Sequence, residues 1–145
     1  MSIFVSKKSR AIVYEIFTIL GLIFFDQIVK YIIIDHSHIL YVCNDGIAFS
    51  IKLPSILFAF LWIIIIMALL YLRTQSKQVS LLEYYGFIMI FAGALSNCID
   101  RFYYTCVIDY IPLFTLSFFN VADTYITCGA FLLLYVNYFA RKNSD

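Results

Sequence analysis

Charge is the scarcest commodity in this 145-residue chain: Asp, Glu, Lys and Arg make up 13% of it, where a soluble domain carries roughly 25%. Hydrophobic residues make up 63%, and the mean hydropathy is +0.92. A soluble globular domain is excluded, and an integral membrane protein is expected. The four cysteines, Cys43, Cys98, Cys106 and Cys128, contain no C-x-x-C pair, and no Cys/His grouping has zinc spacing. His36 and His38, two apart, are a weak metal signal, so the cysteines read as buried thiols and the histidines as interfacial. No P-loop, G-x-G-x-x-G or G-x-S-x-G occurs, which removes the usual nucleotide sites and the serine-hydrolase elbow. No basic cluster interleaves with aromatics, so nucleic acid is not an expected partner. Repeats and low-complexity tracts are missing too.

The apolar stretch after Lys7, Lys8 and Arg10 runs to Ile34 with no small-residue cleavage site behind it. It is longer than the apolar core of a signal peptide and reads as a retained span. Four spans are expected, over about 11–34, 55–73, 80–100 and 121–140, in one integral membrane domain covering 1–145. Lys7, Lys8, Arg10, Arg73, Lys77, Arg141 and Lys142, seven of the ten basic residues, fall on one side, which is assigned to the cytoplasm. The fold class expected is therefore an all-α membrane protein with four transmembrane helices and both termini cytoplasmic. The two external segments, about 35–54 and 101–120, carry the apolar, β-branched runs 38–42 and 106–110. These predict short paired strands, a small external β-like cradle at the headgroups.

Against this background four polar blocks stand out: Asp26–Lys30, Asn44–Phe49, Asn97–Asp109 and Asn120–Asp123. A carboxylate inside a bilayer is costly and marks a functional site by default. Asp26 and Lys30 are four apart and can pair on one helix face, which would equally serve packing alone. Asn97 and Arg101 are likewise four apart, with Asp100 adjacent, and Gly93 one turn earlier permits a close helix approach. Asn120 and Asp123 could simply be an N-cap and a first-turn acid. Asp109 is harder to explain structurally, because an isolated ionised carboxylate in the apolar stretch Cys106–Pro112 needs a partner or a proton. If Asp109 and Asp123 approach each other, repulsion makes them share a proton near neutral pH. One carboxylate and one carboxylic acid around a water suffice to hydrolyse a peptide bond.

Taken in order, the blocks resemble those of the lipoprotein signal peptidases, also called prolipoprotein signal peptidase or signal peptidase II. The resemblance runs from Asp26 to Gly129. It rests on Asn97-Cys-Ile-Asp-Arg101, Val107-Ile-Asp-Tyr110 and Phe119-Asn-Val-Ala-Asp123, supported by Asn44-x-Gly46-x-Ala48-Phe49 and Asp26-Gln27-x-x-Lys30. It implies a multi-pass aspartyl endopeptidase of the bacterial inner membrane with no metal or organic cofactor. Its substrates would be prolipoproteins, cut just before a cysteine carrying diacylglycerol, at a site near the outer leaflet surface. Its partners would be those substrates and membrane lipids, and the chain is expected to act as a monomer. The implied catalytic pair is Asp109 and Asp123. Asn44, Gly46, Asn97, Arg101 and Asn120 would line the site, with Asp26 and Lys30 behind them.

Three residues depart from the family pattern: Ser96 and Thr105 stand at usual glycines, and Ile47 at a usual small residue. The Asp109–Asp123 spacing of 14 residues is also short. Two other classes fit less well. A transporter would need polar residues through the full membrane depth, and the inner halves of spans two to four lack them. A scaffold would use the blocks only to join helices.

Overall fold

The computed structural model describes residues 7–36, 39–46, 64, 67, 80–113 and 117–142. Three long helices dominate: α1 (Lys7–Asp35), α2 (Leu81–Tyr104) and α3 (Val121–Lys142). Among the described residues two helices, Ile12–Asp35 and Leu81–Tyr104, are long and apolar enough to cross a membrane. The span expected over 55–73 lies outside the described residues, except for Ile64 and Met67, which are helical and exposed.

The first helix is built inside out. Phe17, Leu20, Phe24 and Tyr31 are exposed, while its buried residues, among those described, are Asp26 and Lys30. In lipid no hydrophobic gain drives helix to helix, so polar groups and close packing must do it.

Ser80 starts α2: its hydroxyl accepts from the Glu83 amide at 3.1 Å, leaving fewer unpaired N–H groups in the first turn. Helix α2 runs antiparallel to α3 along a seam of small residues. A Cβ on Gly93 would come within 2.3 Å of the Ala122 carbonyl oxygen, and one on Gly129 within 2.6 Å of the Gly86 carbonyl oxygen. The close approach anticipated from Gly93 is therefore a backbone contact. Expected to end near residue 100, α2 continues through Tyr104, because Asp100 and Arg101 are satisfied by tertiary partners and do not need to leave the helix for water. Thr105 then closes it in the left-handed region, φ 63°, with its N–H on the Arg101 carbonyl. That conformation is one a glycine adopts freely and a β-branched residue does not.

Strands β1 (Val42–Asn44) and β2 (Val107–Asp109) pair antiparallel, with Val42 opposite Asp109 and Asn44 opposite Val107. The anticipated pairing of the two external segments is present, but the first strand lies later than 38–42. At Ile39 the chain is still turning out of α1, its N–H bonded to the His36 carbonyl. A second hairpin, β3 (Ile111–Leu113) with β4 (Ser117–Phe119), was not anticipated. Pro112 obscures it in the sequence, since it cannot donate to a ladder. The expectation of buried thiols is corrected: Cys43 and Cys106 form a disulfide, and Cys98 and Cys128 are exposed. No spacing rule applies to a pair separated by 63 residues.

Gly93→Ala is expected to lower stability by about 1–3 kcal/mol through overpacking against backbone. Gly21→Ala in α1, where a Cβ meets nothing within 4 Å, should be neutral or stabilising. Thermal unfolding of the two variants in detergent checks the contrast; equal melting temperatures would contradict the packing described.

Candidate active site

The polar blocks converge where α1, α2, β2 and the start of α3 meet. Lys30 anchors the convergence. Its ammonium lies 2.7 Å from Asp26 and 2.7 Å from Asp100, with relative exposures of 1% for Lys30 and 0% for each acid. The third N–H reaches the Asn97 side-chain oxygen at 3.0 Å, so all three donors of the ammonium are used. The anticipated Asp26–Lys30 pair is thus present and is extended by Asp100.

Each acid of this cluster also holds backbone. Asp26 accepts from the Ala122 amide at 2.9 Å, in the first turn of α3, and from the Ser96 hydroxyl at 2.7 Å. Asp100 accepts from the Ile108 amide at 3.2 Å, next to Asp109, and from Gln27 at 2.7 Å. Sequence reasoning gave Asp100 no role and treated Ser96 only as a departure. The signal for both was the density of donors and acceptors within one turn of α2. Ser96 takes a hydrogen bond from Gln27 while giving one to Asp26, which no glycine could do.

In front of this cluster stand Asp109 and Asp123, each held by asparagines. The Asn44 amide donates to one oxygen of Asp109 at 2.9 Å, and the Asn120 amide to the other at 2.7 Å. Asp123 takes the Asn97 amide at 2.8 Å on one oxygen and the Asn120 backbone N–H at 3.2 Å on the other. The Asn120 side-chain oxygen in turn accepts the Asp123 amide at 2.9 Å. This reciprocal arrangement caps α3, and the cap leaves the Asn120 side-chain amide free to reach Asp109. Asn120 bonds both acids. Arg101 donates to the Gly46 carbonyl at 2.8 Å and lies within electrostatic reach of both acids, while the Gly46 N–H closes a turn on the Asn44 side chain at 3.0 Å.

All nine candidate residues therefore fall in one connected network. Ile47 lies outside the described residues. Asp109 is 2% exposed. Burial, and then the charge of Asp123, push its carboxyl from 3.8 up to about 6, against the opposing pull of the Asn44 and Asn120 donors. Both of its oxygens keep a free lone pair for a proton or a water.

The chain is similar to proteins of one family. A family model described as signal peptidase (SPase) II matches residues 18–139. A lipoprotein signal peptidase of Gloeothece citriformis is 34% identical over 111 residues, covering 74% of this chain and 69% of the relative. One from Bartonella henselae is 34% identical over 140 residues, covering 81% and 86%. A bacterial membrane enzyme solved by the in meso method at 2.3 Å aligns with a TM-score of 0.78 at 29% identity, covering 91% of this chain and 92% of the other.

Two outcomes are expected from the geometry. Lys30→Met leaves Asp26 and Asp100 buried without a counter-ion and should cost about 3–5 kcal/mol, read as a lower unfolding midpoint. For Asp109, a carboxyl with a raised folded-state value makes the folded chain hold the extra proton between pH 3.8 and about 6. Its contribution to stability is full below that window and is lost as pH rises through it. The slope should be reduced in Asp109→Asn, as followed by melting temperature against pH; an unchanged slope would remove Asp109 as a source of it.

Proposed function

The chain belongs to the signal peptidase II family, enzymes that remove the signal peptide from prolipoproteins, and on that footing we propose that Asp109 and Asp123 form its catalytic dyad. The observation that carries this reading is Asn120, whose amide and backbone N–H hold one oxygen of each acid. A single residue thereby fixes the two carboxyl groups relative to each other.

Charge balance supports a shared proton. Four carboxylates (Asp26, Asp100, Asp109 and Asp123) face two cations, Lys30 and Arg101. Lys30 is already committed to the rear pair. A proton on the front pair reduces the surplus negative charge in a poorly solvated site. The ionised member then takes a proton from the attacking water, and the protonated member donates to the scissile carbonyl oxygen or the leaving nitrogen. The titration belongs to the pair and not to either acid. Asn44, Gly46, Asn97, Arg101 and Asn120 line the site and can offer amide and guanidinium hydrogen bonds to substrate backbone or a lipid headgroup. Asp26 and Lys30 hold the frame behind them. No step calls for a metal or an organic cofactor.

The finer reading completes the proposal. Four spans with both termini in the cytoplasm put the polar site near the outer leaflet of the bacterial inner membrane. A substrate that is itself anchored there meets water and acyl chains at one place, and the bond cut is the one before a diacylglyceryl-modified cysteine. The chain acts as a monomer on this reading. The scaffold alternative uses the same asparagine cap but gives Asp109 no work beyond shape.

The test is cleavage of a diacylglyceryl-modified prolipoprotein by the purified chain, beside Asp109→Asn, Asp123→Asn and a non-lipidated substrate. Each variant keeps the shape and one of the two accepted hydrogen bonds, its new NH2 facing the other donor. The chain should therefore fold at some cost in melting temperature while turnover falls at least about 10³-fold, within the range for losing an acid or base. Turnover that survives either substitution would refute the dyad. Equal cleavage of the non-lipidated substrate would refute the lipid requirement.

A further inference from the structure

The β1–β2 pair is unequal. Strand β2 is fully buried and fastened through both backbone groups of Ile108, its N–H on Asp100 and its carbonyl on Asn120. Strand β1 lies outside it: Val42 and Cys43 are exposed and Asn44 is half-buried. Three residues of antiparallel ladder are too few to hold a strand in place by themselves. Yet β1 carries Asn44, the donor to Asp109, and leads into Gly46, the acceptor for Arg101. The register puts Cys43 opposite Ile108, and its sulfur is bonded to Cys106, the residue just before β2, with the two Cα atoms 5.4 Å apart.

We propose that the Cys43–Cys106 disulfide is a positioning element of the peptidase centre, clamping β1 onto β2 so that Asn44 stays on the Asp109 carboxylate and the Gly46 carbonyl stays on Arg101. The inference rests on Asp109 being catalytic. It assigns the bond a task beyond stability, since the covalent link sits one residue from the Asn44 donor and three from Asp109. The groups that face Asp109 are Asn44 from β1, Asn120 from the α3 cap, Asp123 from α3, Lys30 from α1 and Arg101 from α2. Of these, only Asn44 rides on the clamped strand. An external face in an oxidising compartment suits such a bond.

The test reduces the folded enzyme with dithiothreitol. The dithiol gives two electrons and two protons, opens the S–S bond to two thiols, and itself closes to a cyclic disulfide. Cys98 and Cys128 are free thiols and are left as they are, so thiol titration should rise from two to four per chain. Reduction is expected to lower kcat about tenfold through loosened alignment, and to move the Asp109-dependent limb of the pH–rate profile to higher pH as a donor to its carboxylate is lost. The Cys43→Ser, Cys106→Ser double variant should match the reduced enzyme. Asn44→Ala should show the same alkaline movement, and reducing Asn44→Ala should move the limb no further. A chain with four titratable thiols that keeps its kcat and pH profile overturns the proposal. So does a lower melting temperature with an unmoved profile, since that is what a purely structural cross-link gives. Turnover that survives in oxidised Asp109→Asn instead removes the dyad reading on which the proposal rests, whatever reduction does.

Discussion

Everything at this site depends on one buried ammonium. Lys30 has no access to water, so its charge is tolerable only because Asp26 and Asp100 meet it at ion-pair distance and Asn97 takes its last N–H. Each acid then extends the constraint to backbone, Asp26 into the first turn of α3 and Asp100 into β2. The positions of Asp123 and Asp109 are thus set by hydrogen bonds that converge on one side chain of α1. In a bilayer this arrangement has a further advantage. Apolar side chains gain little by leaving lipid for protein, whereas unpaired polar groups lose heavily in hydrocarbon. A polar knot is therefore a stronger determinant of helix arrangement here than an apolar seam, and α1 shows it by burying Asp26 and Lys30 while exposing Phe17, Phe24 and Phe25.

The seam between α2 and α3 plays the complementary part. Glycines at 86, 93 and 129 let the two backbones meet, and that proximity brings Asn97, near the end of α2, within reach of Asp123 and Asn120. Distance along the helices and chemistry at their ends are coupled, because a wider crossing would break the asparagine contacts first.

Much of this was legible in the residues. Charged side chains are so rare in an apolar chain that Asp26, Asp109 and Asp123 stand out as candidates on that ground alone, and Asn97 stands out beside Asp100 and Arg101. Spacing of four along a helix gave the Asp26–Lys30 pair, and Gly93 gave the close approach. What stayed hidden depends on contacts between distant segments. Nothing local tells that Cys43 meets Cys106, that Asp100 completes the Lys30 cluster, or that Ser96 fills two hydrogen-bonding roles. The β3–β4 hairpin was concealed by Pro112, and the true end of α2 by polar residues that looked like a helix stop yet found partners inside the protein. Asn120 was read as either a cap or a site residue; it caps α3 and touches both acids at once.

That double contact ties the proposed acid pair to folding. The Asn120 amide is oriented towards Asp109 because its carbonyl end is occupied by the first turn of α3. Before that turn is wound, the amide is free to rotate and Asp123 has lost one of its two anchors. A chain whose α3 is still unwound therefore lacks the assembled acid pair, and the proposed peptidase centre forms only as that first turn winds.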